Sequence, residues 1–439
     1  MRHEKFHYPD LSALNAELTR LNVTLPLSEN IGALASPVTV GKLTVRNRLA
    51  VQPMEGCDGT PDGKPGELTL RRYDRFTDGG AALIWVEACA VVREGRANPR
   101  QLWLHEENVD AFKSLVSRIR ERGIQANGFA PVLILQLTHS GRYSKPEGTP
   151  APLIAYNNPL FEKEKPIDPS RILSDDRLDA LREVFAKAAK LAEEAGFDGV
   201  DVKACHRYLI CEMFSGFTRP GKYGGSFENR TRLYLDCVRA AKAAVSADFL
   251  VTSRMNVYDG FPYPYGWGVG TDGSLTPDLT EPLRLIGLAR ETGFPLLDVT
   301  IGNPYVNPHV NRPYDLGGYI PPEHPLEGVA RMYDCVGAVK RAYPEMTVIG
   351  SGLSYLRGLS GNLAAGAVEQ DYCDIAGFGR LAFAYPDFAR DLLTKGTLDP
   401  KKICITCSKC TELMRAGSTP GCVLRDKLYT ELYKEVFRK

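Results

Sequence analysis

DRLDALREVFAKAAKLAEEAGFDGVDVKACHRYL, residues 176–209, runs through a helix, a turn, a strand and a chemically reactive strand end in succession. Over 176–196 the apolar residues recur at helical spacing, and Gly196 is a natural C-cap. GVDVKA (199–204) then reads as a strand apolar enough to be covered on both faces, and it stops in Lys203, His206, Arg207 and Tyr208. The same rhythm recurs along the chain. Further strands are expected at RLAVQPM (48–54), ALIWVEA (82–88), PVLILQL (131–137), FLVTSRM (249–255), PLLDVTI (295–301), MTVIGSG (346–352) and CDIAGFGR (373–380). Strands apolar almost throughout and alternating with helices mean a parallel sheet under helices. Eight such units predict an α/β protein, a (β/α)₈ TIM barrel, rather than a doubly wound sheet.

Polar groups follow nearly every strand: Glu55 and Cys57, Glu87, Gln136 and His139, Lys203 to Tyr208, Arg254, Asn303, then the glycines of GSG (350–352) and GFGR (377–380). A purely structural barrel does not need chemistry at one end of its strands, so an active site is expected at that rim. Glycines ending the last two strands suit phosphate, because backbone N–H groups can approach an anion there. Gln136, with donor and acceptor edges, and Arg254, a fixed cation, suit a heteroaromatic ring with a carbonyl-rich edge that gains negative charge. GWGVG (266–270) lacks the helix that a dinucleotide fingerprint requires and reads as a flexible loop.

Composition narrows the class. Of 439 residues 44% are hydrophobic and 24% charged, with a net charge of +1 and no basic block, so neither nucleic acid nor a membrane is expected as a partner. The first residues are charged throughout and carry no secretory pattern; periodic leucines predict a short amphipathic helix. Residues 1–34 are read as a helical extension, 35–395 as the barrel and 396–439 as a cysteine-rich segment. Four of the eleven cysteines fall in that last segment, which favours metal ligation over disulfides and a reducing, cytoplasmic setting.

NRLAVQPM, VEA, LQLTHSGR, VDVKACHRYL, YGGSFENRTR (223–232) and GFGR together resemble the Old Yellow Enzyme family of FMN-dependent reductases from about residue 35 to 395. The resemblance implies FMN over the barrel mouth. Pro53 and Met54 would touch the isoalloxazine, Ala88 would offer its backbone N–H, and Gln136 would bind the pyrimidine edge. Arg254 would sit by N1 and O2, and Gly352, Gly379 and Arg380 would hold the phosphate. It further implies reduction of a C=C conjugated to a carbonyl or acyl group, with hydride from FMN to the β-carbon. The family has His-x-x-His or His-x-x-Asn and then a tyrosine; here Lys203-x-x-His206-x-Tyr208 stands in that place. Lys203 departs from the pattern but still donates to a substrate oxygen, His206 would join it, and Tyr208 would protonate the α-carbon.

Cys404, Cys407, Cys410 and Cys422 form C-x2-C-x2-C-x11-C, a spacing that suits a [4Fe–4S] cluster, with zinc as the alternative. The run resembles the cluster segment of 2,4-dienoyl-CoA reductase and its bacterial relatives, which have three residues where this chain has two between the second and third cysteines. Those relatives continue into a half that binds FAD and NAD(P)H; the sequence runs 17 residues past Cys422, so that half is not expected here. NADH, NADPH or a ferredoxin-type protein could supply electrons, and an oligomer is compatible with the sequence. Two other functions fit some of these residues: an electron-transfer flavoprotein linking a cluster to a partner, and a Schiff-base lyase using Lys203. The loops 143–172 and 258–275, which would select the alkene, carry no readable code.

Overall fold

The computed structural model describes residues 5–438, so the first four residues of the expected N-terminal extension lie outside it. Eight parallel strands close into a barrel in sequence order: β1 (Leu49–Val51), β2 (Leu83–Ala90), β3 (Val132–Thr138), β4 (Gly199–Val202), β5 (Leu250–Tyr258), β6 (Leu296–Ile301), β7 (Thr347–Gly350) and β8 (Ile375–Phe378). β8 closes the ring by pairing with β1, Ala376 opposite Leu49, and with β7, Ile375 opposite Ile349. All eight expected strands are present, and the chain is a (β/α)₈ TIM barrel.

The two faces of these strands do different work. Side chains one residue apart point to opposite sides. Ile84, Val86, Leu133, Leu135, Val200, Val251, Leu297 and Val348 pack outward under the helices in the main core. Ala50, Leu83, Trp85, Ile134, Leu250, Leu296, Ile349 and Ile375 fill the barrel interior. The antiparallel pair Val38–Val40 and Leu43–Val45 adds Val40 and Val45 to that interior cluster. Both faces are therefore apolar, which is why the strands read as continuous hydrophobic runs.

The predicted N-terminal helix spans Leu11–Leu21, capped by Asp10, whose carboxylate accepts from Ala13 N at 2.8 Å; Leu14 and Leu18 are buried. At the other end, helices Lys409–Arg415 and Lys427–Phe437 lie against the barrel. Asp426 caps the last one, accepting from Leu428 N, and its buried carboxylate also binds Arg71 (2.9 Å) and Arg75 on the helix Glu67–Asp78. No described helix is long and apolar enough to cross a membrane.

Candidate active site

The step of two that sorts the barrel interior also builds the site. From Ala50 two-residue steps reach Gln52 and Met54; from Ile134, Gln136; from Leu250, Arg254; from Ile349, Ser351; from Ile375, Gly377 and Gly379. Lys203 follows the inward-facing Asp201 by the same step. These residues open into one pocket enclosing about 1120 Å³ at the C-terminal end of the strands. Pro53, Met54, Ala88, Gln136, Lys203, His206, Tyr208, Arg254, Gly352, Gly379 and Arg380 all line it.

β2 breaks the rule. A bulge between Val86 and Cys89 shifts its register, so Ala88 reaches the pocket and Glu87 does not. Glu87 is instead buried against Arg72 and Tyr73, its Oε2 accepting from Gly56 N at 2.7 Å. His139, also expected at the rim, turns away. Its Nδ1 accepts from Gly141 N at 3.1 Å, and burial pushes its pKa down to about 4. The specific YGGSFENRTR stretch is scaffold: Ser226 caps the helix Phe227–Ala244, and the buried Arg230 ties it to Gly225 O (2.9 Å) and Glu281 (2.6 Å). GWGVG is a loop as expected but a packed one, since Trp267 is fully buried with Nε1 donating to Asn256 O at 2.9 Å.

At the pocket floor a polar layer holds Gln136 and Arg254 in place. Asp201 accepts from Gln136 Nε2 (2.6 Å), Trp85 Nε1 (2.9 Å) and Arg254 N (2.8 Å). Arg254 Nε lies 3.1 Å from Asp298 Oδ2, and its Nη2 is 3.4 Å from Gln52 Oε1. Gln52 in turn donates to Asp298 at 2.9 Å. Gln52, Asp201 and Asp298 were missed from sequence, although the two-residue step from Ala50 points to Gln52.

The opposite end of the pocket is made for an anion. Gly352 has φ +87°, a conformation that excludes most side chains, and a Cβ on Gly379 would come within 3.0 Å of Met54 Sδ. Arg380 Nη1 is buried without a hydrogen-bond partner, while Nη2 donates to Pro313 O at 3.0 Å. Arg312, unforeseen, lines the same wall, and burial together with the charge of Arg380 pulls its pKa down to about 10. Neither guanidinium is ion-paired with a carboxylate among the described residues. Two such charges on one wall would be stabilised by an anion between them.

The third region surrounds the end of β4. His206 (φ +60°) and Arg207 (φ +57°) take left-handed conformations that end the strand. Arg207 anchors that turn from behind, Nη1 on Asp259 (2.6 Å) and Nη2 on Ser215 Oγ (2.7 Å). Lys203 Nζ has no hydrogen-bond partner among the described residues and lies 3.4 Å from the centre of the Tyr208 ring. Burial lowers its pKa, opposed by Glu55 and Asp201. Asn311 Nδ2 donates to Ile301 O (2.8 Å) and lies 3.1 Å from His206 Nε2, so that ring nitrogen accepts and Nδ1 carries the proton. Burial, then the charges of Arg254 and Lys203, hold His206 neutral. The Tyr208 hydroxyl is 2.7 Å from that of Tyr305, a residue of the loop after β6 that sequence reasoning passed over, and burial pushes the Tyr208 phenol well above its usual range.

The C-terminal segment supplies a wall of this pocket through Cys410, Thr411, Met414 and Pro420. Cys404, Cys407, Cys410 and Cys422 also line one smaller cavity beside it, with Arg380, Phe383 and Arg425. Among the described residues no three His, Cys, Asp or Glu side chains are gathered as a metal site, so the geometry supports neither the expected [4Fe–4S] cluster nor zinc.

Fold and site define a (β/α)₈ barrel with one polar-lined pocket at the C-terminal end of its strands. The chain belongs to the NADH:flavin oxidoreductase / NADH oxidase family, whose model matches residues 33–263. It is 31% identical over 274 residues to the NADPH dehydrogenase of Geobacillus sp. (strain WCH70), covering 61% of this chain and 73% of that one. It is 31% identical over 234 residues to the metal reductase of Desulforamulus reducens, covering 52% of this chain and 33% of that one. Among solved structures, 2-naphthoyl-CoA reductase superposes with a TM-score of 0.72 at 19% identity, over 92% of this chain and 58% of that one. The Old Yellow Enzyme homologue from Zymomonas mobilis gives 0.62 at 21% identity, over 84% and 94%. At such identities the structural likeness speaks for the fold alone. The chain thus spans a third to somewhat over half of the longer relatives it matches. Family membership makes it a flavin-dependent oxidoreductase and supports FMN and NAD(P)H as its cofactors, and the residues present fit FMN at both the ring and the phosphate end. A Schiff-base lyase finds no support in that family.

Proposed function

We propose that this protein is an FMN-dependent ene-reductase acting on a C=C conjugated to a carbonyl or acyl group. The observation that carries the reading is the convergence of Lys203, His206 and Tyr208 on the pocket that also holds Gln136, Arg254 and the paired guanidiniums. FMN, when bound, would supply hydride transfer from NAD(P)H to an electron-poor carbon. Arg254 would balance negative charge at the pyrimidine edge, and Gln136 would orient that edge. Gly352, Gly379, Arg380 and Arg312 hold the phosphate. Lys203 Nζ and His206 Nδ1 donate to the substrate oxygen as it gains charge, in a site where little water competes. Tyr208 gives its proton to the α-carbon, and the hydroxyl of Tyr305 steadies the phenol oxygen left behind.

The four cysteines, whose C-x2-C-x2-C-x11-C spacing suits a [4Fe–4S] cluster, line the neighbouring cavity and are the residues that would hold one. Cys410, which lines both cavities, would bring such a cluster next to the flavin pocket and allow electrons to enter from a ferredoxin-type donor.

The deciding experiment reduces the FMN-loaded protein anaerobically and follows its reoxidation by cyclohex-2-enone and by a crotonyl thioester. Fast reoxidation with a saturated product is expected. Lys203→Ala or His206→Ala should slow it by roughly 10²- to 10³-fold, the scale of one lost oxyanion donor, with reduction by NAD(P)H little changed. Reoxidation by neither alkene, or equal rates in the variants, would reject the assignment.

A further inference from the structure

A second, larger cavity of about 1780 Å³ adjoins the catalytic pocket and shares Glu55, Tyr305 and Met414 with it. Its charges are unbalanced. Arg142 on its wall is neutralised by Glu162 and Glu212, the latter at 2.7 Å. Arg100, Lys145 and Arg415 also line it, and none of the three is ion-paired with a carboxylate among the described residues. Arg100 Nη2 meets only the Gly417 carbonyl at 3.0 Å, and Arg415 Nη2 only that of Tyr305 at 3.4 Å. The single acidic side chain on the lining, Glu55, sits at the end shared with the catalytic pocket. A second observation is independent of charge: the Ser144 hydroxyl, on the same lining, is 1% exposed and has no hydrogen-bond partner. An unsatisfied hydroxyl on the same lining as three cations without a carboxylate partner among the described residues is a donor set suited to an anion.

We propose that this cavity is a subsite for the phosphate-bearing tail of a molecule whose reactive end enters the catalytic pocket. The inference rests on the flavin-pocket reading above and extends it. Tyr305 and Met414 form the threshold, so a molecule lying across them places its reacting atoms by Lys203, His206 and Tyr208 and its phosphates among Arg100, Lys145 and Arg415. Cations gathered along one cleft focus the field and raise the local concentration of such an anion. Two molecules share this chemistry: the nicotinamide dinucleotide that brings hydride, and an alkene carried as a thioester on a phosphorylated nucleotide.

The test begins with binding, which needs no turnover. Inorganic pyrophosphate titrated calorimetrically into the FMN-loaded protein should bind, more weakly as salt rises, because the contributing charges are partly exposed. Arg100→Glu/Arg415→Glu should weaken it by about tenfold or more, and Lys145→Glu, a substitution at one exposed position, should weaken it alone should the double variant not fold. Unchanged pyrophosphate affinity in Lys145→Glu and in the double variant would overturn the subsite. Kinetic arms then separate the sources. A raised KM for NADPH with kcat retained assigns the tail to the dinucleotide; a raised KM for crotonyl-CoA assigns it to the acyl carrier. The KM for neutral cyclohex-2-enone should not move in either case. If no alkene reoxidises the flavin, the ene-reductase reading fails while the pyrophosphate titration still decides the subsite.

Discussion

Arg254 and Lys203 stand side by side at the ends of neighbouring strands, two residues beyond the Asp201–Thr252 pair. Arg254 is braced by Asp298 and Gln52. Arg254→Ala should weaken FMN retention or slow flavin reduction, since negative charge at the ring loses its partner; dialysis against buffer and stopped-flow reduction measure the two effects. Lys203 can lose its proton, and burial brings that loss below the ordinary lysine range. As pH rises through this lowered pKa the cation disappears, so reoxidation should be fast on the acidic side and fall on the alkaline side. Lys203→Met should be slow throughout and lack that limb in a pH–rate profile. Tyr208→Phe should slow weakly activated alkenes most, because they depend on protonation at the α-carbon. Borohydride added with substrate should leave no adduct on Lys203, and a mass-spectrometric adduct there would restore the lyase alternative.

Among the elements, the last helix has the clearest single anchor. Asp426 caps Lys427–Phe437 and ties it to Arg71 and Arg75 across the barrel rim. Asp426→Ala should cost about 1–3 kcal/mol, a lost cap plus ion pairs whose arginines are partly exposed; a lowered Tm by calorimetry checks it, and Asp426→Asn, which keeps an acceptor for the cap, should lose less. The elements also explain how much of the site was legible. Strand existence was readable at all eight positions because both strand faces are apolar. The inward direction of Gln136, Arg254 and Gly379 follows from period two alone. That period fails at β2, where the bulge delivers Ala88 and sends Glu87 to Arg72. Ala88 was placed by family resemblance, and spacing would have chosen Glu87.

For the whole molecule, the cysteine-rich segment is part of the pocket wall as well as a cluster of thiols. Cys407→Ser should remove iron and sulfide from anaerobically purified protein while FMN stays bound, because Cys407 lines only the smaller cavity. About one zinc per chain and no iron would instead make the segment a structural clasp, with NAD(P)H reducing FMN directly. Iron-free, zinc-free protein that retains FMN and full turnover would dismiss both metals.

The sequence by itself determined the barrel, the rim that carries chemistry and the residues on strand ends, since local period and strand-end composition are properties of neighbouring residues. Only the tertiary structure decided which rim groups meet. Tyr305 reaches Tyr208 from a loop 97 residues on, and Asn311 selects the His206 tautomer from 105 residues away. Arg312 doubles the charge of Arg380 at the anion end, and His139, adjacent to the same strands in sequence, is turned out of the site. Such pairings depend on how loops dock across the barrel mouth, and a loop's course is set by through-space packing that no residue spacing encodes.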